Sequence, residues 1–238
     1  FFKEVEITLN KKNKLKTKII KPKSGEKLQH ILLAEKNALE NIKLKKTSLE
    51  AHHSALNSLS QLLDIEYEIH RVEAYDNSHT SGKNSVGVMV VADKEGLSPR
   101  HYRKFNIRYD MQEEKISTVD DYYMMEEVLS RRLSKINQSN EPSVPDVIII
   151  DGGRGQYNSV LKIIKKYQLE DIKLLSVSKG PERNVGREII HLENKNVNLK
   201  PNDVLLNFIQ RLRDEAHRFA ITAHRSRRSK ASIKSVFD

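Results

Sequence analysis

The chain is predicted to adopt an α/β fold in which a mixed β-sheet is covered by helices, preceded by a short hairpin and a long helix. Three observations lead there. Asp146-Val-Ile-Ile-Ile-Asp151 places four β-branched residues in a row without alternation, as in a strand buried on both faces, usually an interior parallel one. Short β-rich runs at His70 to Asp76, Ser85 to Asp93 and His101 to Ile107, separated by Gly, Ser, Asn and Pro clusters, form a meander ahead of it. Helical periodicity then follows the buried run twice.

The remaining elements follow in order. Lys3 to Ile20 alternates apolar and polar residues around Asn10 to Asn13, predicting a β-hairpin that Pro22 and Gly25 close off. Between Glu26 and Leu63, leucines and Ile42 recur close to every 3.5 residues; this predicts one long helix or two, with one apolar stripe that packs mechanically and with His52 and His53 as surface residues. Thr118 and Asp121 make a capping box for a helix through Ile136, whose apolar face is Met125, Val128, Leu129, Leu133 and Ile136. After Gly152-Gly-Arg-Gly155 come a helix with Val160, Leu161, Ile163 and Ile164, a strand at Ile172 to Val177 and a hairpin at Glu188 to Leu199. The last helix opens near Pro201 or Asn202. Residues 1–67 are expected to be a connecting segment and residues 68–238 the α/β domain.

Composition narrows the function classes. Across 238 residues, 42 Lys and Arg face 32 Asp and Glu, a net charge of +10. The core from 71 to 199 holds 20 basic and 19 acidic residues, so the excess lies at the ends. Six Lys or Arg and no acid lie between Arg218 and Phe237, a pattern that fits a polyanion and equally a solvated tail. Zero cysteines exclude disulfides and thiolate chemistry, fit a reducing cytoplasm, and leave His, Asp and Glu as strong metal ligands. No apolar run approaches the roughly 18 residues of a membrane span. Because the chain opens on Phe1, it is expected to be part of something longer.

Three positions stand out chemically. Asp76 ends a strand-like run in phase with Val72 and Ala74; a carboxylate on that face is costly unless paired or bound to a cation, although a turn-forming Asp is the plainer reading. Asp151 sits at the C-terminal edge of the interior strand, where open α/β sheets bind ligands. His217 shares a helical stripe with Arg213, Asp214 and His224, opposite Leu212, Ala216 and Phe219. Together they would form an oxygen-rich site for Mg²⁺ or Mn²⁺ suited to phosphodiester cleavage. A phosphate-binding role for Gly152 to Gly155 fits poorly, since no Gly-Lys-Ser/Thr follows.

Tyr75-Asp-Asn-Ser-His-Thr80, Asp120-Asp-Tyr122, Pro145 to Gln156, Ser178-Lys-Gly-Pro-Glu-Arg183 and Arg213-Asp-Glu-Ala-His-Arg-Phe-Ala220 occur in the order seen in the UvrC family of excision nuclease subunits. The resemblance covers the chain from about Pro22 onward. It implies an RNase H-like endonuclease domain that cuts a damaged strand 5′ to the lesion with Mg²⁺ or Mn²⁺. Carried over by position, Asp76, Asp151 and His217 would hold metal and catalyse, with Asp121 as a fourth acidic position. Arg154, Lys179, Arg213, Arg218 and Arg225 are the basic residues expected to hold phosphates of double-stranded DNA. The resemblance also implies a UvrB partner, contacted through a segment outside the matching residues. Asn77, Arg154 and Pro181 depart from the usual residues of these motifs, and none removes an expected ligand. The alternative is a non-catalytic DNA-binding or partner-docking module with the same fold.

Overall fold

The computed structural model describes residues 2–13, 17–78, 85–107, 121–136, 144–178, 180 and 188–237. It divides into two compact units, residues 1–48 and 49–238.

The first unit corrects the hairpin expected over Lys3 to Ile20. Helix α1 (Phe2–Asn13) replaces it. An alternating segment with no partner strand leaves its backbone groups unpaired, whereas a helix satisfies them locally. The chain that follows is tied by side chains rather than by a ladder: Ile19 N–H donates to Glu6 Oε1 at 2.6 Å, and Thr17 N–H to Asn10 Oδ1. Helix α2 (Glu26–Leu62) is continuous, so the long-helix expectation stands as one element. Its leading turns leave Leu39 and Ile42 more than half exposed. Its last turns, which the sequence assigns to the connecting segment, bury Ala55, Leu56 and Leu59 in the second unit.

His52 is a second correction, because it is buried rather than a surface residue. Arg211 Nη2 donates to its Nδ1 at 3.3 Å, which leaves Nε2–H to donate to the Asp93 carbonyl at 2.7 Å. Phe208 packs edge-on against the ring at 5.4 Å. Burial, with help from the Arg211 guanidinium, lowers the His52 pKa below its ordinary value of 6.5 and outweighs the raising effect of the Asp93 carbonyl. The unfolded chain therefore binds a proton first, and stability should fall as pH drops below about 6.5 toward the lowered folded value. Urea melts of the parent and His52→Gln at pH 7.5 and 5.5 check this, since the parent is expected to lose more stability than the variant.

Among the described residues, the second unit is built on an eight-stranded mixed sheet. Its strands are β1 (Val72–Ser78), β2 (Val86–Asp93), β3 (Gly96–Leu97), β4 (Arg103–Asn106), β5 (Val147–Asp151), β6 (Lys173–Ser178), β7 (Ile189–His191) and β8 (Asn196–Asn198). They run in the order β3-β2-β1-β5-β6-β7-β8, with β4 pairing the outer edge of β2. As predicted, β5 is interior and parallel to both neighbours, β1 and β6, and Val147 through Ile150 are almost wholly buried. The meander and the Glu188 to Leu199 hairpin are also present, the latter as antiparallel β7 and β8.

Helices α3 (Asp121–Ile136) and α4 (Arg154–Lys166) pack against each other, while α5 (Val204–Phe237) lies on β1 and β2. Strand alternation sorts β1 between them. Glu73 and Tyr75 face α3, where Arg132 Nη2 reaches Glu73 Oε1 at 2.8 Å; Asp76 faces α5, where His217 meets it. Gly87 of β2 lets α3 come close, for a Cβ there would collide with Val128. Gly155 serves α4 similarly, because a Cβ would collide with the Tyr122 hydroxyl of α3.

Candidate active site

Two parallel strands bring two carboxylates to one edge. The β1–β5 register pairs Tyr75 with Ile150, and the next residue on each strand is Asp76 and Asp151. Equal register puts both side chains on the face covered by α5. Both stand just past the last paired residues of the parallel β1–β5 ladder, at its C-terminal side.

Helix α5 answers each carboxylate with a cationic or titratable partner. Its apolar stripe of Leu205, Ile209, Leu212, Ala216 and Ala220 is buried, and that orientation turns Gln210, Arg213 and His217 along the flank. His217 Nδ1 lies 3.5 Å from Asp76 Oδ2, and Arg213 Nη2 lies 3.0 Å from Asp151 Oδ1. The Asp76 side chain is 15% exposed, whereas His217 is 68% exposed and opens the site to solvent. Burial, then the neighbouring Asp151 charge, raises the Asp76 pKa; His217 and the Asn77 N–H partly offset this. Like charges held together in a half-dry setting call for a cation.

Glu188, which the sequence reading missed, is a buried third carboxylate at the start of β7. Arg213 Nη1 lies 3.8 Å from its Oε1, and Gln210 Nε2 donates to the same oxygen at 2.9 Å. The signal available was the helical step: Gln210, Arg213 and His217 are spaced by three and four, so one flank carries all three. Nothing in the strand-like run after Glu188 marks that residue.

The other expected positions separate. Asp121 opens α3, but its side chain lies outside the described ones, as does that of Arg225 on α5. Lys179 lies outside the described residues. Arg154 is occupied by the β7–β8 hairpin: its guanidinium donates to the carbonyls of Leu192, Glu193 and Lys195 and to Asn196 Oδ1. Arg218 makes two 2.7 Å bonds to Glu215 and remains mostly exposed.

The residues present fit a divalent cation as a paired site. Among the described residues, no group of three His, Asp or Glu side chains is close enough to hold a metal ion by itself. What they offer is two hard carboxylate donors on adjacent strands, with a guanidinium standing at the oxygen of Asp151 where another cation would bind.

A family model, the UvrC RNase H endonuclease domain, matches residues 60–221. The chain belongs to the UvrC family. The UvrABC system protein C of Bradyrhizobium diazoefficiens is 41% identical over 226 residues, covering 90% of this chain and 32% of that protein. That of Paramagnetospirillum magneticum is 39% identical over 236 residues, covering 97% and 37%. The chain thus spans about a third of the length of the UvrC relatives it matches. Among solved structures, the catalytic domain of human endonuclease V is similar at 13% identity and a TM-score of 0.35, covering 59% of each chain. The RNase H-like architecture expected of UvrC agrees with the mixed sheet, its parallel centre and its flanking helices.

Proposed function

We propose that residues 68–238 are a divalent-metal-dependent DNA endonuclease domain of nucleotide excision repair, hydrolysing a phosphodiester bond 5′ to a lesion, with residues 1–67 as a connecting segment. The observation that carries this reading is the register placing Asp76 beside Asp151 at the edge of two parallel strands, under Arg213 and His217. Membership in the UvrC family supports it.

Asp76 and Asp151 would hold Mg²⁺ or Mn²⁺ through oxygen, as hard cations require. The bound ion would neutralise the scissile phosphate and lower the pKa of the attacking water. His217, reaching from the open side of Asp76, would complete the ligand set or pass a proton to the leaving oxygen. Asp121 is the further acidic residue of this reading. Lys179, Arg213, Arg218 and Arg225, with Arg154 behind the hairpin, supply positive charge toward phosphates, which position a duplex without reading its sequence. Damaged double-stranded DNA is the proposed substrate, UvrB the partner of the longer protein, and the cytoplasm the setting. Among the described residues, no helix is long and apolar enough to cross a membrane.

A nicking assay tests the reading. The chain is incubated with a 5′-labelled duplex bearing one bulky lesion, with Mn²⁺, Mg²⁺ or EDTA. Incision of the damaged strand on the 5′ side that EDTA abolishes is expected. Salt-dependent binding without cleavage in any divalent ion would instead make the chain a binding module.

A further inference from the structure

Arg213 extends from α5 between two carboxylates, 3.0 Å from Asp151 Oδ1 through Nη2 and 3.8 Å from Glu188 Oε1 through Nη1. Neither pairing is complete. Among the described residues, the buried Nε of Arg213 and the buried Oε2 of Glu188 have no hydrogen-bond partner. Guanidinium and carboxylate match best through two parallel bonds; in such a pairing with Glu188, Nη2 would join Nη1 and Oε2 would be the second acceptor. Gln210 already holds the other Glu188 oxygen, so the carboxylate is oriented to receive the guanidinium. A short displacement of Arg213 would exchange its Asp151 contact for a two-bond pairing with Glu188.

Resting on the reading of Asp76 and Asp151 as metal ligands, we propose that Arg213 is a movable counter-cation of the site. It neutralises Asp151 before a divalent ion arrives, and Glu188 is the positioning residue that takes it up when the ion claims Asp151. Two charges of one sign cannot share the Asp151 oxygen without repulsion, so Arg213 competes with the ion. Glu188 makes that competition milder by giving the guanidinium another partner. Glu188 therefore acts through Arg213 and touches no reacting atom. The two side chains should affect ion binding in opposite directions, which a merely structural role would not produce.

Mn²⁺ titration of the chain, read from the loss of the free-ion EPR signal, tests the proposal. Arg213→Gln is expected to tighten Mn²⁺ binding by about fivefold to tenfold, and Glu188→Gln to weaken it by about fivefold. In the Arg213→Gln background, Glu188→Gln should change affinity by less than about twofold, because the group it receives is gone. Should Arg213→Gln fail to fold by circular dichroism, Arg213→Met, which keeps the apolar stem, replaces it with the same expectation. Unchanged or weakened binding without the Arg213 charge overturns the proposal. So does an equal loss from Glu188→Gln in both backgrounds, which would make Glu188 a direct ligand. Asp76→Asn and Asp151→Asn should each abolish tight Mn²⁺ binding; if both bind as the parent does, the site reading itself has failed, a result distinct from either Arg213 outcome.

Discussion

Asp151→Asn is expected to lower the incision rate by about a thousandfold or more, roughly 4 kcal/mol in the barrier, while duplex affinity stays within about twofold. Asn keeps the size of the side chain but removes the charge that would hold a divalent ion at the edge of β5. The fold should survive, because Asp151 is 41% exposed and its partner Arg213 retains Glu188. Incision at the parental rate in Mn²⁺ would sink the assignment. Asp76→Asn should lose as much activity yet differ in stability. Burial, then Asp151, raises the Asp76 pKa, so the folded state holds a proton more tightly than the unfolded one. Its ionised form therefore costs stability at neutral pH, a cost that disappears as pH falls through the raised value. Asn removes the charge altogether, and a rise in Tm of about 2–4 °C at pH 7.5 is expected, as about 1 kcal/mol would produce in a domain of this size.

The contrast between these two carboxylates shows which parts of the site a sequence carries. Asp76 is legible because alternation ties it to Val72 and Ala74, and Asp151 because it ends an unbroken apolar run. Both signals are local, and the adjacency of β1 and β5 then brings the residues together. His217 and Arg213 are legible as a stripe on α5. Glu188 is not, since its place beside Arg213 depends on a long-range contact between the start of β7 and α5, with no periodic mark. His52 fails for a related reason: its partners Asp93, Phe208 and Arg211 come from distant parts of the chain. The misread hairpin is a local error. In Lys3 to Leu9 alternation promises a strand, but without a partner the backbone is better satisfied as α1.

Glu73→Ala is expected to cause the largest loss of stability, about 3–5 kcal/mol, because it removes a buried carboxylate that pairs with both Arg71 and Arg132. Glu73 is wholly buried in β1. Its Oε1 accepts from Arg71 Nε at 2.7 Å and Arg132 Nη2 at 2.8 Å, and its Oε2 accepts from the Tyr75 hydroxyl at 2.6 Å. Burial, followed by the Glu73 charge and bond, pushes the Tyr75 pKa upward, so that the phenol remains a donor. Alanine would leave a void where the carboxylate joins two guanidinium groups and a hydroxyl, and removing one member of a buried charge network costs far more than the pair contributes. Since folded domains are typically stable by only about 5–15 kcal/mol, this variant should shift the urea midpoint strongly or fail to fold. The network also reaches function. Arg132 anchors α3 to the strand that presents Asp76 on its opposite face, and α3 begins at Asp121, with Tyr122 against Gly155 of α4. Glu73→Gln, which keeps the shape and one acceptor, should fold with an intermediate loss of stability and reduced incision. An unfolding free energy within about 0.5 kcal/mol of the parent for Glu73→Ala, the range of ordinary surface changes, would show that this buried cluster does not hold α3 to the sheet.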